Sequence, residues 1–204
     1  MIEKELKFKI SEKEAERIQK KLGKMGCWPK RQTELTAIFD DKNYSFLKKG
    51  KTIRIRTVHL INPRGNDILF NNTALLVFKD DSLSKDFNFN NREEIEIQIT
   101  DFRNSSDLIS FLYRLGYHCV LIYEKERENW LGLKVEKVKV SVDGVSELGY
   151  FLEIEGEEEK VKEMVHFLKL KKKKSIRKTT YQLYGKYLKK TGKSFKGIYI
   201  SNFN

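Results

Sequence analysis

The chain opens with the segment Ile2-Glu3-Lys4-Glu5-Leu6-Lys7-Phe8, in which charged and apolar residues mostly alternate. Successive side chains of a β-strand point to opposite faces of the sheet, so this alternation predicts a strand with one ionic and one apolar face. Glu3, Glu5 and Lys7 would share the ionic face, and Leu6 and Phe8 the other. The same pattern elsewhere in the chain decides the fold.

Alternation with a period of two recurs and predicts further strands. The predicted strand segments are 2–8, 53–57, 74–79, 94–99, 121–127, 138–143 and 151–155. Arg54 and Arg56 share one face of the second segment, and Glu153 and Glu155 share one face of the last. Carboxylates recur on some strands and Lys or Arg on others, whereas an ordinary solvent-facing surface mixes Thr, Ser, Gln and Lys.

Two interpretations account for these faces. In an ordinary half-exposed antiparallel sheet the charges would face water, whereas in a closed antiparallel β-barrel they would line the interior, with the apolar faces outside under helices. The segregation of acids from bases favours the barrel. Buried charges are costly unless they are compensated. A divalent metal with a polyphosphate would compensate them, because carboxylates bind Mg²⁺ or Mn²⁺ and Lys or Arg neutralise phosphate oxygens.

Amphipathic helices are predicted between the strands, and they could cover the outside of such a barrel. A capping box at Ser11 and Glu14 begins the first helix, and Gly116 ends the second. The predicted helices lie at 11–25, around 108–115, at about 157–168 and after Ser175. Segments 58–73 and 80–92 are rich in Asn, Asp, Ser or Pro and are predicted to be irregular.

The composition limits both where the protein is expected and which residue types could carry out catalysis. The 204 residues include no apolar run of about 18 residues, and the charged N-terminus does not resemble a secretory signal, so a cytoplasmic protein is expected. Cys27 and Cys119 lack metal-ligand spacing, and the three histidines are scattered, which argues against a His-based metal site or a Ser-His-Asp triad. Any catalysis must therefore use carboxylates, lysines and arginines.

The formal charge of +12 indicates an acidic partner, which could be a nucleic acid, an anionic lipid or a small phosphorylated molecule. Part of the excess lies in the lysine-rich run 169–178, and such runs are usually solvated. The charge leaves open a non-catalytic polyphosphate- or RNA-binding module. The basic residues at alternate strand positions favour a small molecule instead.

Read in order, the motifs resemble the CYTH, or triphosphate tunnel metalloenzyme, family, which includes class IV adenylate cyclases, thiamine triphosphatases and inorganic triphosphatases. The residues that carry the resemblance are Glu3-Lys4-Glu5-Leu6-Lys7, Phe39-Asp40, Ile53-Arg54-Ile55-Arg56, Lys79, Arg92 with Glu94 and Glu96, Lys125 with Arg127, Asp143 before Val145, Leu148-Gly149-Tyr150-Phe151, Glu153 with Glu155, and Lys178 before Tyr181. The resemblance implies an α+β fold with a closed eight-stranded antiparallel β-barrel, a single tunnel domain over 1–190 and a C-terminal tail over 191–204.

The resemblance also implies roles for individual residues. One or two divalent ions, Mg²⁺ or Mn²⁺, would be held by Glu3, Glu5, Asp143, Glu153 and Glu155. The phosphates would be bound by Lys7, Arg54, Arg56, Lys79, Lys125, Arg127 and Lys178. The catalytic set among these would be Lys7, Arg54, Arg56, Lys125 and Arg127. Glu94 and Glu96 would either contact the metal or pair with interior arginines.

The expected activity is metal-dependent hydrolysis of a triphosphate, because hydrolysis needs no nucleobase pocket and the sequence reveals none. Cyclisation of ATP to cAMP and pyrophosphate is the alternative, since the two reactions differ only in the nucleophile. Where cyclase-like members carry Gly-Pro after the strand lysine, this chain has Lys79-Asp80-Asp81. We expect a small-molecule triphosphate as partner, neither membrane nor nucleic acid, and a monomer or homodimer.

Overall fold

The computed structural model describes residues 2–61, 68–80, 89–99, 104–131, 138–170 and 175–192. The strands are β1 (Ile2–Ile10), β2 (Trp28–Asp40), β3 (Lys51–Ile61), β4 (Ile68–Asp80), β5 (Asn90–Ile99), β6 (His118–Leu131), β7 (Val138–Val145) and β8 (Gly149–Gly156). The helices are α1 (Glu12–Lys24), α2 (Ser45–Lys48), α3 (Asn104–Arg114), α4 (Glu158–Phe167) and α5 (Thr180–Thr191). The predicted α+β class with antiparallel strands is confirmed. No described helix is long and apolar enough to cross a membrane.

The eight strands form one strongly curled antiparallel sheet. Hydrogen-bonded neighbours follow the order β1-β5-β4-β3-β2-β6-β7-β8, and β8 also pairs with β1. The seam between β1 and β5 is short, because it joins only Ile2–Glu5 to Asn90–Glu93. Beyond that seam, the backbone N–H of Ile176 donates to the Lys7 carbonyl at 2.6 Å. The segment that precedes α5 therefore contacts β1 where β5 no longer does.

The outer face of β1, β7 and β8 is apolar and carries α1 and α4. The predicted capping box at Ser11 and Glu14 is confirmed at the start of α1. The buried residues of this layer include Phe8, Ala15, Ile18, Leu22, Val140, Leu152, Ile154, Val161 and Met164. On the other side of the sheet, Leu112 of α3 packs against the outward residues Phe39 and Ile55. Charged and apolar faces therefore separate as the alternation predicts.

Helix α5 differs from the predicted position outside the sheet. Its buried Tyr184 and Leu188 pack in one cluster with Ile38, Tyr123 and Phe151, and the first two of these strand residues also line the interior cavity. The Tyr184 hydroxyl donates to the Ser146 carbonyl at 2.7 Å. The end of the interior at Ile38 and Tyr123 is therefore apolar, and α5 covers it.

Strand β2 is missing from the segments that alternation predicts. Its first half, from Trp28 to Gln32, contains Pro29 and is largely exposed, so it shows no apolar face. The predicted irregular segments are also too long, because β3 continues to Ile61 and β4 begins at Ile68. The predicted tail lies, from residue 193 onward, outside the described residues.

Replacing Ile18 with alanine should destabilise the fold by about 2 to 5 kcal/mol, because this fully buried side chain fills the interface between α1 and the sheet. Lys20→Ala, on the exposed face of the same helix, should change the free energy of unfolding by no more than about 0.5 kcal/mol. Urea unfolding followed by circular dichroism measures both. Equal stability of the two variants would contradict the packing described for α1.

Candidate active site

The curled sheet surrounds a cavity of about 210 Å³ to which every strand contributes at least one side chain. Its charged lining residues are Glu5, Lys7, Arg54, Arg56, Lys79, Glu94, Glu96, Lys125, Arg127, Lys139, Asp143, Glu153 and Glu155. Apart from Lys139, Glu94 and Glu96, each of these is a residue for which the family resemblance implies a role as a metal or phosphate ligand. The half-exposed sheet with its charges toward water is thereby excluded for these residues.

Three carboxylates form a compact acidic cluster at β1 and β8. Glu5 lies opposite Glu155 in the β1–β8 register, and Glu153 shares the same face of β8. Glu5, Glu153 and Glu155 each offer an oxygen within 4.8 Å of the others. Burial, together with the charges of Glu153 and Glu5, raises the pKa of Glu155. Crowded carboxylates of this kind suit a divalent cation, because hard ions such as Mg²⁺ prefer oxygen ligands.

The other two predicted metal ligands are placed differently. Asp143 is almost fully buried and accepts two hydrogen bonds of 2.6 Å from Nε and Nη2 of Arg127. Lys125 Nζ lies 3.2 Å from the same carboxylate. Asp143 therefore positions two bases and stands apart from the acidic cluster. The side chain of Glu3 lies outside the described residues.

Glu153 connects the acidic cluster to the basic residues. Lys7 Nζ lies 2.9 Å from its carboxylate, and Arg127 Nη2 donates a hydrogen bond to it. Burial alone would raise the pKa of Glu153, but Lys7 and Arg127 outweigh burial and hold that pKa well below its usual range. Burial likewise opposes the charged form of Lys7, yet Glu153 and Glu5 raise the Lys7 pKa.

Glu34 on β2 lies among the interior bases, although neither the strand pattern nor the resemblance predicted it. It is fully buried, and its carboxylate lies 3.2 Å from Lys125 Nζ, 3.4 Å from Arg56 Nε and 3.9 Å from Arg127 Nε. Burial raises its pKa, but these three cations outweigh burial and the pKa is lowered. Alternation of polar Gln32, Glu34 and Thr36 with less polar neighbours could have revealed it.

The remaining predicted phosphate ligands fall into two groups. Arg54 and Lys79 line the cavity, and the buried Nε of Arg54 has no hydrogen-bond partner in the described part of the chain. Lys79 pairs with Glu94, and burial followed by the charge of Arg54 lowers the Lys79 pKa. Lys178 is absent from the described cavity lining, and its proximity to the like-charged Lys186 lowers the Lys178 pKa.

Glu94 and Glu96 are paired with bases in the structure. Glu94 contacts Lys79, and Glu96 lies 3.5 Å from Arg56 Nη1. Neither belongs to the acidic cluster, so of the two roles considered for them the structure supports pairing with interior bases. Lys139, on β7 opposite Glu155, is a cavity residue that the resemblance did not include.

A curled antiparallel sheet with an ionic interior defines a recognisable class of protein. The PH1819 protein of Pyrococcus horikoshii OT3 has the same fold, with a TM-score of 0.69 at 24% identity over 90% of this chain and 98% of that one. The model of the CYTH domain family matches residues 1–182. The chain therefore belongs to the CYTH domain family, as its motifs predicted.

Two further relatives carry functional names. A protein of Methanocaldococcus jannaschii named "putative adenylate cyclase" is 31% identical over 196 residues, which cover 91% of this chain and 99% of that protein. A Hippeastrum protein, described as a "putative adenylyl cyclase" with a dominant triphosphatase activity, has a TM-score of 0.62 at 18% identity. That alignment covers 91% of this chain and 95% of that one, and it supports the fold.

Replacing Glu34 with glutamine should lower stability at pH 7 by about 3 to 5 kcal/mol, because Lys125, Arg56 and Arg127 would lose a shared buried counter-charge. The pKa of Glu34 in the folded state lies below its unfolded value of about 4.3, so its contribution is complete above that pH and is lost as the pH falls further. The difference from the wild type should therefore shrink below pH 4.3 in urea titrations.

The exposed Glu163, which pairs only with Lys160 in the described residues, offers the matched control. Glu163→Gln should leave the free energy of unfolding within about 0.5 kcal/mol of the wild type at each pH. A Glu34→Gln protein as stable as this control at pH 7 would show that the carboxylate does not organise the bases.

Proposed function

We propose that this protein is a divalent-metal-dependent phosphohydrolase that acts on a triphosphate. The substrate would be inorganic triphosphate, thiamine triphosphate or a nucleoside triphosphate, enclosed by the curled sheet acting as a closed tunnel. One observation carries the proposal. A cluster of three carboxylates lies beside a set of interior bases, and Glu153 belongs to both. Metal and phosphate can therefore meet inside one cavity.

Glu5, Glu153 and Glu155 would hold Mg²⁺ or Mn²⁺, and Glu3 and Asp143 remain proposed as further ligands. When bound, a divalent ion polarises a phosphoryl oxygen and orients the substrate. The pKa of Glu155 is raised because the negative charges of the cluster repel one another, so a nearby positive charge would stabilise the cluster. A proton or a metal ion can supply that charge, and the closely spaced oxygens favour the metal.

The bases would bind and orient the phosphates. Phosphoryl transfer asks a protein mainly for positioning and for neutralisation of charge that develops on the phosphate oxygens. The unpaired Nε of Arg54 is a donor directed at no protein group in the described residues. Glu34 and Asp143 hold the other bases in place before substrate arrives. The proposed catalytic residues are Lys7, Arg54, Arg56, Lys125 and Arg127, with Lys79 as a further phosphate ligand.

A class IV adenylate cyclase is the second candidate, favoured by the name of the Methanocaldococcus jannaschii relative. Cyclisation would use the same metal and phosphate ligands, with a ribose hydroxyl in place of water. The third candidate is a non-catalytic polyphosphate- or RNA-binding module. Its RNA-binding form gains no support from the interior, where described bases are largely paired with acids across strands. The run 171–174 lies outside the described residues.

Turnover of inorganic triphosphate, thiamine triphosphate and ATP with Mg²⁺ or Mn²⁺ should release inorganic phosphate and yield no cAMP. Phosphate release and product chromatography measure the two outcomes. Formation of cAMP from ATP would replace the hydrolase with the cyclase. Absence of turnover, combined with RNA binding that weakens steeply as salt is raised, would favour the binding module.

Replacing Glu155 with glutamine should raise the metal concentration needed for half-maximal turnover at least roughly tenfold, because a ligand of the metal is lost. Glu155 is a cleaner choice than Glu153, whose loss would also release Lys7 and Arg127. Titration of Mg²⁺ or Mn²⁺ at fixed triphosphate measures the effect. Glu159→Gln, on the exposed face of α4, is the control, and equal metal dependence in both variants would refute the assigned ligands.

A further inference from the structure

Strand β5 has one edge that is only partly paired. From Glu93 to Ile99 the strand pairs with β4 on one side. On its other side β1 pairs only with Asn90–Glu93, and no strand of the described chain pairs with β5 beyond Glu93. The backbone groups of residues 95–99 that point away from β4 are therefore available to a further strand, because an unpaired edge is a template for strand pairing.

The same part of β5 exposes an apolar face. Ile95 and Ile97 are 49% and 55% exposed, although they lie on the outer face of the sheet, which helices cover elsewhere. Ile95 lies opposite Phe78 of β4, and Ile97 lies opposite Leu76. The two exposed side chains thus continue an apolar row instead of standing alone. A contiguous apolar patch that includes exposed side chains marks an interaction surface more often than a single exposed residue does.

This edge lacks the usual features that prevent strand pairing. Edge strands are commonly protected by Lys, by Pro or by a β-bulge. The segment 94–99 reads Glu-Ile-Glu-Ile-Gln-Ile and contains neither Lys nor Pro, and its register with β4 runs unbroken. Its two carboxylates, Glu94 and Glu96, lie on the inner face. A strand can therefore pair here if it keeps its own charges away from these carboxylates.

We propose that two copies of this chain pair through this edge and form a symmetric homodimer, in which one sheet continues from β5 of one subunit to β5 of the other. An antiparallel pair centred on Ile97 places the two Ile97 side chains opposite each other and Ile95 opposite Ile99. The outer face of the new pair is then entirely apolar. On the inner face Glu96 lies opposite Gln98. A two-fold interface has to be self-complementary in this way.

The alternative registers bring like charges together. A pair centred on Ile95 places Glu96 opposite Glu94, and a pair centred on Glu96 places two copies of that carboxylate opposite each other. Like charges directly opposite in a sheet are destabilising. A slip of one residue would also bring the apolar face of one strand beside the ionic face of the other. The register centred on Ile97 avoids both costs.

The dimer places a residue of the partner beside the ionic cavity. Glu96 lines that cavity and lies 3.5 Å from Arg56 Nη1. In the proposed register, the amide of Gln98 from the second copy lies next to this carboxylate and can donate a hydrogen bond to it. The amide is neutral, so it leaves the ion pair with Arg56 in place. Dimerisation does not depend on which reaction the cavity carries out, and it is tested separately from the proposed function.

Sedimentation equilibrium measures the oligomeric state directly. At about 100 μM, well above the dissociation constant of a low-micromolar complex, the wild type should have a mass near twice 24.2 kDa. Ile97→Lys places two like charges opposite each other at the centre of the interface and should reduce the mass to that of one chain. Leu131→Lys is the matched control, because Leu131 is 42% exposed on β6, whose neighbours are β2 and β7. This variant should remain dimeric.

Disulfide formation tests the register. Opposite residues of an antiparallel pair have Cα atoms about 4.5 to 5.5 Å apart, a separation that suits a disulfide, so oxidised glutathione should link Ile97→Cys into a covalent dimer. Ile95→Cys lies on the same strand face and is similarly exposed, but its two copies would be four residues apart along the strand, roughly 13 Å, and should stay unlinked. Non-reducing electrophoresis measures the linkage, and the wild type gives the background from Cys27 and Cys119.

Four results would overturn the proposal. They are a wild type that stays at 24.2 kDa, a folded Ile97→Lys protein that remains dimeric, loss of the dimer in Leu131→Lys as well, and linkage of Ile95→Cys equal to that of Ile97→Cys. Circular dichroism establishes that the lysine variants are folded. The cysteine variants add no charge, so they test the interface even if Ile97→Lys does not fold.

Discussion

The ion pairs that Glu153 makes with Lys7 and Arg127 are the constraint on which the interior depends. A charge removed from water costs several kcal/mol unless a partner of opposite charge and hydrogen bonds compensate it. Lys7 lies directly opposite Glu153 in the β1–β8 register, and Arg127 on β6 reaches the same carboxylate across β7. The pairing of β8 with β1 therefore fixes these ion pairs, while the apolar outer face is covered by α1, α3 and α4.

The interior has two regions that differ in how far their charges are compensated by neighbouring groups. On the β2, β3 and β6 side, the carboxylate of Glu34 lies among Arg56, Lys125 and Arg127 and compensates part of their charge within the protein. On the β1 and β8 side three carboxylates crowd together, and the raised pKa of Glu155 records their repulsion. The first region is preorganised, whereas the second gains most from an added cation. This asymmetry is what we expect of the proposed metal and phosphate site.

The apolar end of the interior has a different role. Helix α5 packs Tyr184 and Leu188 there and brings Thr179 and Tyr181 to the edge of the ionic cavity. The loop after β2 is held near this end by the buried carboxylate of Asp40, which accepts hydrogen bonds from the backbone N–H groups of Phe46 and Leu47.

The sequence by itself determined the strand faces, since alternation is a local property that places Arg54 with Arg56 and Glu153 with Glu155 on shared faces whatever surrounds them. Its motifs also identified the family. Only the tertiary structure decided that Asp143 forms ion pairs with Arg127 and Lys125, that Lys178 lies beside Lys186, and that α5 covers the apolar end of the interior. Those facts depend on strand order and register between segments far apart in the chain, which local periodicity does not encode. The polar alternation around Glu34 is likewise a local signal, but its partners are decided by the strand order that places β3 and β6 on either side of β2.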